Sequence, residues 1–383
     1  MEFNKSNCFN DNNESQSKQT LIHYKGGIGE FDYDPNIWEV LDNHLRFKNK
    51  EVKSLPENLE LPKGCIDTSY MFEGCKNLTN ISILKNWDIS KVMYMTGMFE
   101  ECQNLKDISP LRNWDTSNVE DMTGTFYNCA NLTDISPLRN WNTSSVKNLS
   151  NMFKGCTKIT DITPLQNWNI LRVAFMSGMF NSCKNLTDIS PLKNWDTSKV
   201  EDMSYMFRKC KNLTDITPLQ NWDISKVEYM SNTFYNCANL TDISPLQNWD
   251  TSKVKNVYCM FSCCVKLTDI TPLKNWNTSN VEDMSSMFEY CKNLTDISPL
   301  QNWNTSKVKD MSAMFKYCEN LTDISPLKNW DTSSVKNLSY MFANCTNLID
   351  ESPIENWNTS KVENIKDMFA DFEKLENIPP LPF

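Results

Sequence analysis

Histidine is nearly absent: the 383 residues contain two, His23 and His44, and both precede the repetitive part of the chain. That scarcity removes a common zinc ligand and general base from most of the molecule. Positive charge is also in deficit. The net charge is −10, which argues against nucleic acid, since a polyanion needs a basic footprint. No stretch approaches about 18 consecutive apolar residues, so no membrane span is expected. The opening run "MEFNKSNCFNDNNESQSKQT" lacks the apolar segment of a secretory signal. The glycine-punctuated calcium repeat is missing, and "KGGIGE" lacks the Lys-Ser/Thr pair of a phosphate loop, so it reads as a turn. Neither histidine has a recognisable Ser or Cys motif beside it, and no catalytic arrangement is apparent.

What the chain has is a period. Eleven tryptophans recur every 27 residues, from Trp87 and Trp114 to Trp330 and Trp357, without insertion or deletion. Such a period marks a solenoid, in which each copy is one unit stacked on the last. Residues 1–20, polar and Asn/Ser-rich, are expected to be disordered. Residues 21–64 do not follow the repeat and are assigned as an irregular N-terminal cap. Residues 65–356 form the solenoid, and 357–383 hold the last repeat and a C-terminal cap, where Phe372 replaces the recurring Cys.

The unit is well represented by residues 195–221, "WDTSKVEDMSYMFRKCKNLTDITPLQN". Its apolar spacings of three and four sustain neither a helical stripe nor a strand alternation. They predict a coil with a short strand over "KVEDM" and a single helical or 3₁₀ turn over "SYMFRKC", capped by Ser204. Asn212 is expected to end that turn in a left-handed conformation. A second extended segment covers "LTDIT" and closes at Pro218. Asp or Asn after each Trp suits an Asx turn, and the Asn before each Trp either takes a left-handed turn or forms an internal hydrogen-bonded ladder.

The constellation Val200, Met203, Phe207, Cys210, Leu213 and Ile216, recurring from residue 66 onward, resembles the BspA-like leucine-rich repeats. It is most similar to the W-D-T-S-x-V subtype of mycoplasma surface lipoproteins, gut protists and large amoebal DNA viruses. The resemblance covers about four-fifths of the chain. It implies a leucine-rich-repeat solenoid, a right-handed coil of short β-strands and short 3₁₀ or helical turns, and a role in binding or adhesion without catalysis. The lipoprotein signal of the surface members is not found, and an intracellular, reducing setting is expected; a virion or host-cell location fits by analogy with viral members.

The recurring cysteines, such as Cys102, Cys129 and Cys156, read as a row of small buried thiols more readily than as a metal stack. The cluster Cys259, Cys263 and Cys264 reads as a drifted copy. Core packing is favoured for the tryptophans over an exposed aromatic ramp that would stack on a glycan. The carboxylates stacked along the Thr-Asp rows, as at Asp134 and Asp188, are expected to be offset by turn hydrogen bonds to backbone amides or by nearby lysines. No cofactor or metal is expected.

Recognition should sit where copies differ. The freest positions flank the Cys, as in Tyr127-Asn128, Arg208-Lys209, Glu289-Tyr290 and Lys316-Tyr317, with Tyr235 matching Tyr127 in a repeated "TFYNCA". One pair of positions changes together. The Thr two after Trp becomes Ile89, Ile170 and Ile224, and those copies alone carry an aromatic five residues later: Tyr94, Phe175 and Tyr229. Joint substitution suggests contact, and block duplication is the rival explanation. These ten aromatic and Ile side chains are the candidate protein-binding residues. The expected function is a non-catalytic scaffold for an unknown protein partner, without nucleic acid or membrane; the alternative is a carbohydrate-binding or adhesin-type surface protein.

Overall fold

The computed structural model describes residues 18–24 and 27–371. The chain opens with two antiparallel hairpins, β1 (Lys18–Tyr24) with β2 (Gly27–Tyr33), and β3 (Trp38–Leu41) with β4 (His44–Phe47). The segment expected to be irregular thus holds two hairpins up to Phe47 and is irregular from 48 to 64, and the strand at Lys18 begins inside the expected tail. Residues 1–17 and 372–383, which carry the rest of that tail and the closing "NIPPLPF", lie outside the described residues. The second hairpin covers the near end of the solenoid. Phe47 N–H donates to the Met71 carbonyl at 2.7 Å, and the Trp38 ring lies 6.0 Å from Phe72 and 6.4 Å from Trp87.

From there the chain is a repeat solenoid. Eleven 3₁₀ turns follow one another at 27-residue intervals among the described residues, from Ser82–Asn86 to Ser352–Ile354. Nine fall on Ser/Thr-Pro-Leu, the first on Ser82-Ile83-Leu84 and the last on Ser352-Pro353-Ile354, not on "SYMFRKC" as the spacing predicts. Proline favours this placement in ten of the eleven copies. Its fixed φ suits the first helical positions and its missing N–H would be unpaired there in any case. The Asp two residues ahead takes the free amide at the start of the turn, as when Ser190 N–H donates to Asp188 Oδ1 at 2.7 Å. This is the turn hydrogen bond expected to settle the carboxylate rows.

The stretch from residue 202 to 210 is neither strand nor helix. Amides leave it alternately. Those of Met203, Tyr205, Phe207 and Lys209 donate to carbonyls of the next coil at 3.0, 2.8, 3.0 and 2.7 Å. Those of Met206, Arg208 and Cys210 donate three residues back within their own coil. The expected strand over "KVEDM" is thus reduced to a single parallel bridge at Asp202, one of a row from Asp67 to Asn364. Neighbouring coils are joined as strands are, while each coil keeps turning.

Two left-handed residues per coil allow this. One row runs from Tyr70 through Tyr205 to Asp367, the other from Gly74 through Lys209 to Asp371, every member at positive φ. Asn212 belongs to neither row, and the turn is opened by Asp202, whose Oδ1 accepts the Ser204 N–H at 2.8 Å, in place of the expected serine cap. The Asn before each Trp also departs from both expectations. Asn113 and Asn221 are exposed, are not left-handed, and form no internal ladder. The Asx turn after Trp holds throughout, as when Ser198 N–H meets Asp196 Oδ1 at 3.0 Å and Ser306 N–H meets Asn304 Oδ1 at 3.1 Å.

Candidate binding surface

The constant residues point inward. Phe rings stack coil on coil, with Phe99 and Phe126 5.7 Å apart and 4° from parallel. The tryptophans are 3–7% exposed from Trp87 to Trp357, and each indole N–H donates to a backbone carbonyl of the coil before. An aromatic ramp facing solvent is therefore not what these rings form. Each would otherwise leave a polar N–H buried, and the carbonyl bond removes that penalty.

Behind the phenylalanines the thiols form the buried row that their spacing suggests. Cys210 Sγ donates to the Phe180 carbonyl at 3.2 Å, and Cys102 through Cys345 do the same with their own preceding coils. Burial pushes these thiols up: Cys345 to about 12, and Cys102, Cys129 and Cys210 well above the ordinary thiol value. Such groups are poor nucleophiles. The three cysteines of one copy diverge. Cys264 is a member of the row, Cys259 occupies a left-handed position, and Cys263 is the more exposed of the three. No three His, Cys, Asp or Glu side chains gather as a metal site among the described residues.

Much of the variation lies on two rows, the second reaching the surface in every copy and the first buried at Gly97, Gly124, Gly178, Asn232, Cys259 and Ser286. Both left-handed rows are occupied by residues that change from copy to copy: Tyr, Gly, Asn, Cys, Ser, Ala and Asp in the first, and Gly, Glu, Asn, Ser, Lys, Cys, Tyr and Asp in the second. The backbone there is fixed by inter-coil hydrogen bonds, so side-chain identity is free while its anchor is not. The periodicity of apolar residues carries no signal for this. High variability beside the recurring Phe and Cys is the trace it leaves in the sequence.

The candidate residues divide by burial. Ile89, Ile170 and Ile224 are buried at 1–2% exposure, so a partner cannot touch them. They replace threonines whose hydroxyls reach the next coil, as Thr197 Oγ1 does to the Asp223 carbonyl at 2.9 Å. Their companions lie outside, with Phe175 and Tyr229 more than two-fifths exposed and Tyr94 half-buried. Tyr94, Phe175 and Tyr229 stand in the bridge row, where Asp and Asn elsewhere accept an amide in an Asx turn. Tyr127, Tyr235, Tyr290 and Tyr317 are half-buried on the side chains flanking the Cys. Tyr290 and Tyr317 stack at 4.2 Å, Lys154 lies 4.7 Å over the Tyr127 ring, and the Arg208 guanidinium lies 4.7 Å over Tyr235.

Of the two histidines, His44 is described with its side chain; its Nδ1 lies 3.3 Å from Asp67 Oδ2 and its ring meets Tyr70 edge-on. The nearby Cys65 thiol donates to the Asp67 carbonyl, and burial pushes it up to about 12. No helix among the described residues is long and apolar enough to cross a membrane.

Three overlapping segments, 66–189, 176–298 and 265–379, match the family described as "Mycoplasma protein of unknown function, DUF285". The chain belongs to this family. The family's matched segments together run from the first coil beyond the last described one. No curated protein matches. Among solved structures, a chain from "Structure of the Toll - Spatzle complex, a molecular hub in Drosophila development and innate immunity" is similar at 16% identity and a TM-score of 0.26. The match takes in 71% of this chain and 34% of that one, so the chain spans about a third of its length.

Proposed function

We propose that this chain is a non-catalytic scaffold that binds another protein along the outer side of its coils, as repeat arrays present long surfaces. One observation carries the reading: the varied residues of the second left-handed row, with Phe175 and Tyr229, are half-buried or exposed on a fixed backbone, while the recurring Trp and Phe are buried. The half-exposed aromatics Tyr94, Phe175 and Tyr229 are the proposed contacts, aromatic side chains being frequent anchors at interfaces. The resemblance to the W-D-T-S-x-V repeats, whose members bind or adhere, points the same way. A reducing compartment goes with the proposal, since the thiols of the row serve as buried packing groups. The glycan reading loses the tryptophan ramp on which it rested.

A photo-crosslinking side chain placed at Tyr229, or at Asn221 on the exposed corner as a control, tests this in lysate of the source cells. A discrete protein adduct from the first position only is expected. Equal labelling from both, or glycan-array binding without any protein adduct, would overturn it.

A further inference from the structure

The side chains flanking the Cys reverse the charge of the molecule in its middle coils. Across three consecutive copies they supply Lys154, Lys158, Lys184, Arg208, Lys209 and Lys211. At these positions no carboxylate occurs between Glu101 and Glu289. Elsewhere the solenoid neutralises such cations from the adjacent coil. On the same side Lys292 meets Glu319 at 2.7 Å and Lys316 meets Glu289 at 3.6 Å; along the neighbouring row Lys255 meets Glu228 at 2.6 Å. None of the six central cations lies within ion-pair reach of a carboxylate among the described residues. The nearby aspartates, such as Asp161, Asp188 and Asp215, use an oxygen to hold their own turns.

Three of these cations, Lys184, Lys209 and Lys211, line a groove of about 570 Å³ that draws residues from six coils, five of them from Asn128 to Asn236. Its lining includes the left-handed residues Asn128, Gly155, Ser182, Lys209 and Asn236, with Lys184 and Lys211 beside them. Crowding is felt there. Arg208, then burial, then Lys184 and Lys211 hold the Lys209 ammonium below its usual value. Arg208 Nε is buried without a hydrogen-bond partner. The two identical "TFYNCA" copies bracket the basic ones, and their Tyr127 and Tyr235 rings hold Lys154 and Arg208 at either end.

We propose that this groove binds an acidic, extended polypeptide segment, which deepens the scaffold reading and rests on it. Four coil steps of ~4.8 Å give a length near 20 Å, about six extended residues. Side chains of Asn128, Ser182 and Asn236 offer donors and acceptors to peptide backbone, while the Lys184, Lys209 and Lys211 ammonium groups take the carboxylates. A longer polyanion such as nucleic acid is disfavoured by Glu100 and Glu101 before the groove and Glu289 after it, and by the net charge of −10.

The test is fluorescence anisotropy of the full chain with a fluorescein-labelled peptide of alternating Glu and Ser, about ten residues long, at low and physiological salt. Saturable one-to-one binding is expected, weakened about tenfold or more by the double change Lys184→Glu with Lys211→Glu. Lys309→Glu, far along the array, should leave it within about twofold. The neutral pair Lys184→Gln with Lys211→Gln should fall between, and unchanged tryptophan emission would show that each variant folds. Equal affinity in the charge-reversed variant, equal binding of a Lys-Ser peptide, or tighter binding of a thymidine decamer would overturn the proposal. If peptide binding fails while the Tyr229 crosslink to a protein persists, the groove assignment falls and the scaffold reading stands; loss of the crosslink alone has the opposite meaning.

Discussion

The indole N–H of Trp195 donates to the backbone carbonyl of Leu165 at 3.2 Å, thirty residues back in sequence and one coil away in space. The same bond recurs from Trp87 to Trp357, so each tryptophan both fills a corner and ties its coil to the one before. Trp195→Phe would keep an aromatic ring but remove this bond, at a cost of about 0.5–1.5 kcal/mol beyond the lost packing, since the Leu165 carbonyl still accepts the Trp168 N–H at 3.0 Å. Because repeat arrays lose stability locally, the loss should show as faster amide hydrogen exchange in residues 160–200, with the terminal coils unchanged. Unaltered exchange there would mean that the indole bond adds nothing beyond packing.

Thiol reactivity should be confined to one position within the array. Ladder thiols are buried and pushed up, whereas Cys263 is partly exposed. In a Cys8→Ser background, a disulfide reagent at about pH 8 should titrate close to one thiol in the folded chain. Cys263→Ser should abolish that reaction, and denaturant should release the rest. Rapid reaction of several thiols before unfolding would contradict the buried row.

Stability should fall in acid for an identifiable reason. Ser hydroxyls, then the Ser amides, hold the carboxyls of Asp115, Asp196, Asp223 and Asp331 below their usual value. A depressed folded value stabilises the fold above the unfolded value near pH 4 and loses that effect as pH falls through the folded one. Asp283 works oppositely: burial raises it, so protonation removes a penalty. Asn142 and Asn304 already make the same turn without titrating. Changing the four aspartates to Asn should therefore lower Tm modestly at neutral pH, the turn itself being kept, and flatten its decline toward about pH 3. An equally steep decline in that variant would place the acid sensitivity elsewhere.

Equivalent left-handed positions should favour Gly over Ala, so reverse exchanges in one row should have opposite effects. Gly97, at φ +57°, has the Tyr70 ring 2.6 Å from where a Cβ would stand, so Gly97→Ala should lower thermal stability. Ala313, at φ +53° in the same row, carries a methyl in a conformation that disfavours it. Ala313→Gly relieves about 1–2 kcal/mol of backbone strain, against about 0.5–1 kcal/mol of added chain entropy. Its Tm should hold or rise. A clear fall on Ala313→Gly would refute the left-handed assignment for that row.

Much of this molecule is legible from composition and register. The 27-residue period, the burial of Trp, Phe and Cys, and the Asx turn after Trp follow from residue types that have few other uses at such spacing. The ten candidate contacts were less legible. Variation identified their rows, but Ile89, Ile170 and Ile224 proved to be interior while Phe175 and Tyr229 are not, because apolarity alone does not tell a core position from a contact.

Apolar spacing reports which side chains avoid water, and to that extent the sequence alone determined the stacked core. It is silent on where a backbone amide points. Only the packed coils decided that alternate amides at residues 203–209 bridge to the next copy, that Tyr205 and Lys209 take left-handed φ, and that proline rather than "SYMFRKC" hosts the 3₁₀ turn. The same holds for the cations at 154, 184 and 208–211. Distant in sequence by about one period each, they stand on adjacent coils because backbone hydrogen bonds join those coils, as Ser182 N–H does to the Arg208 carbonyl.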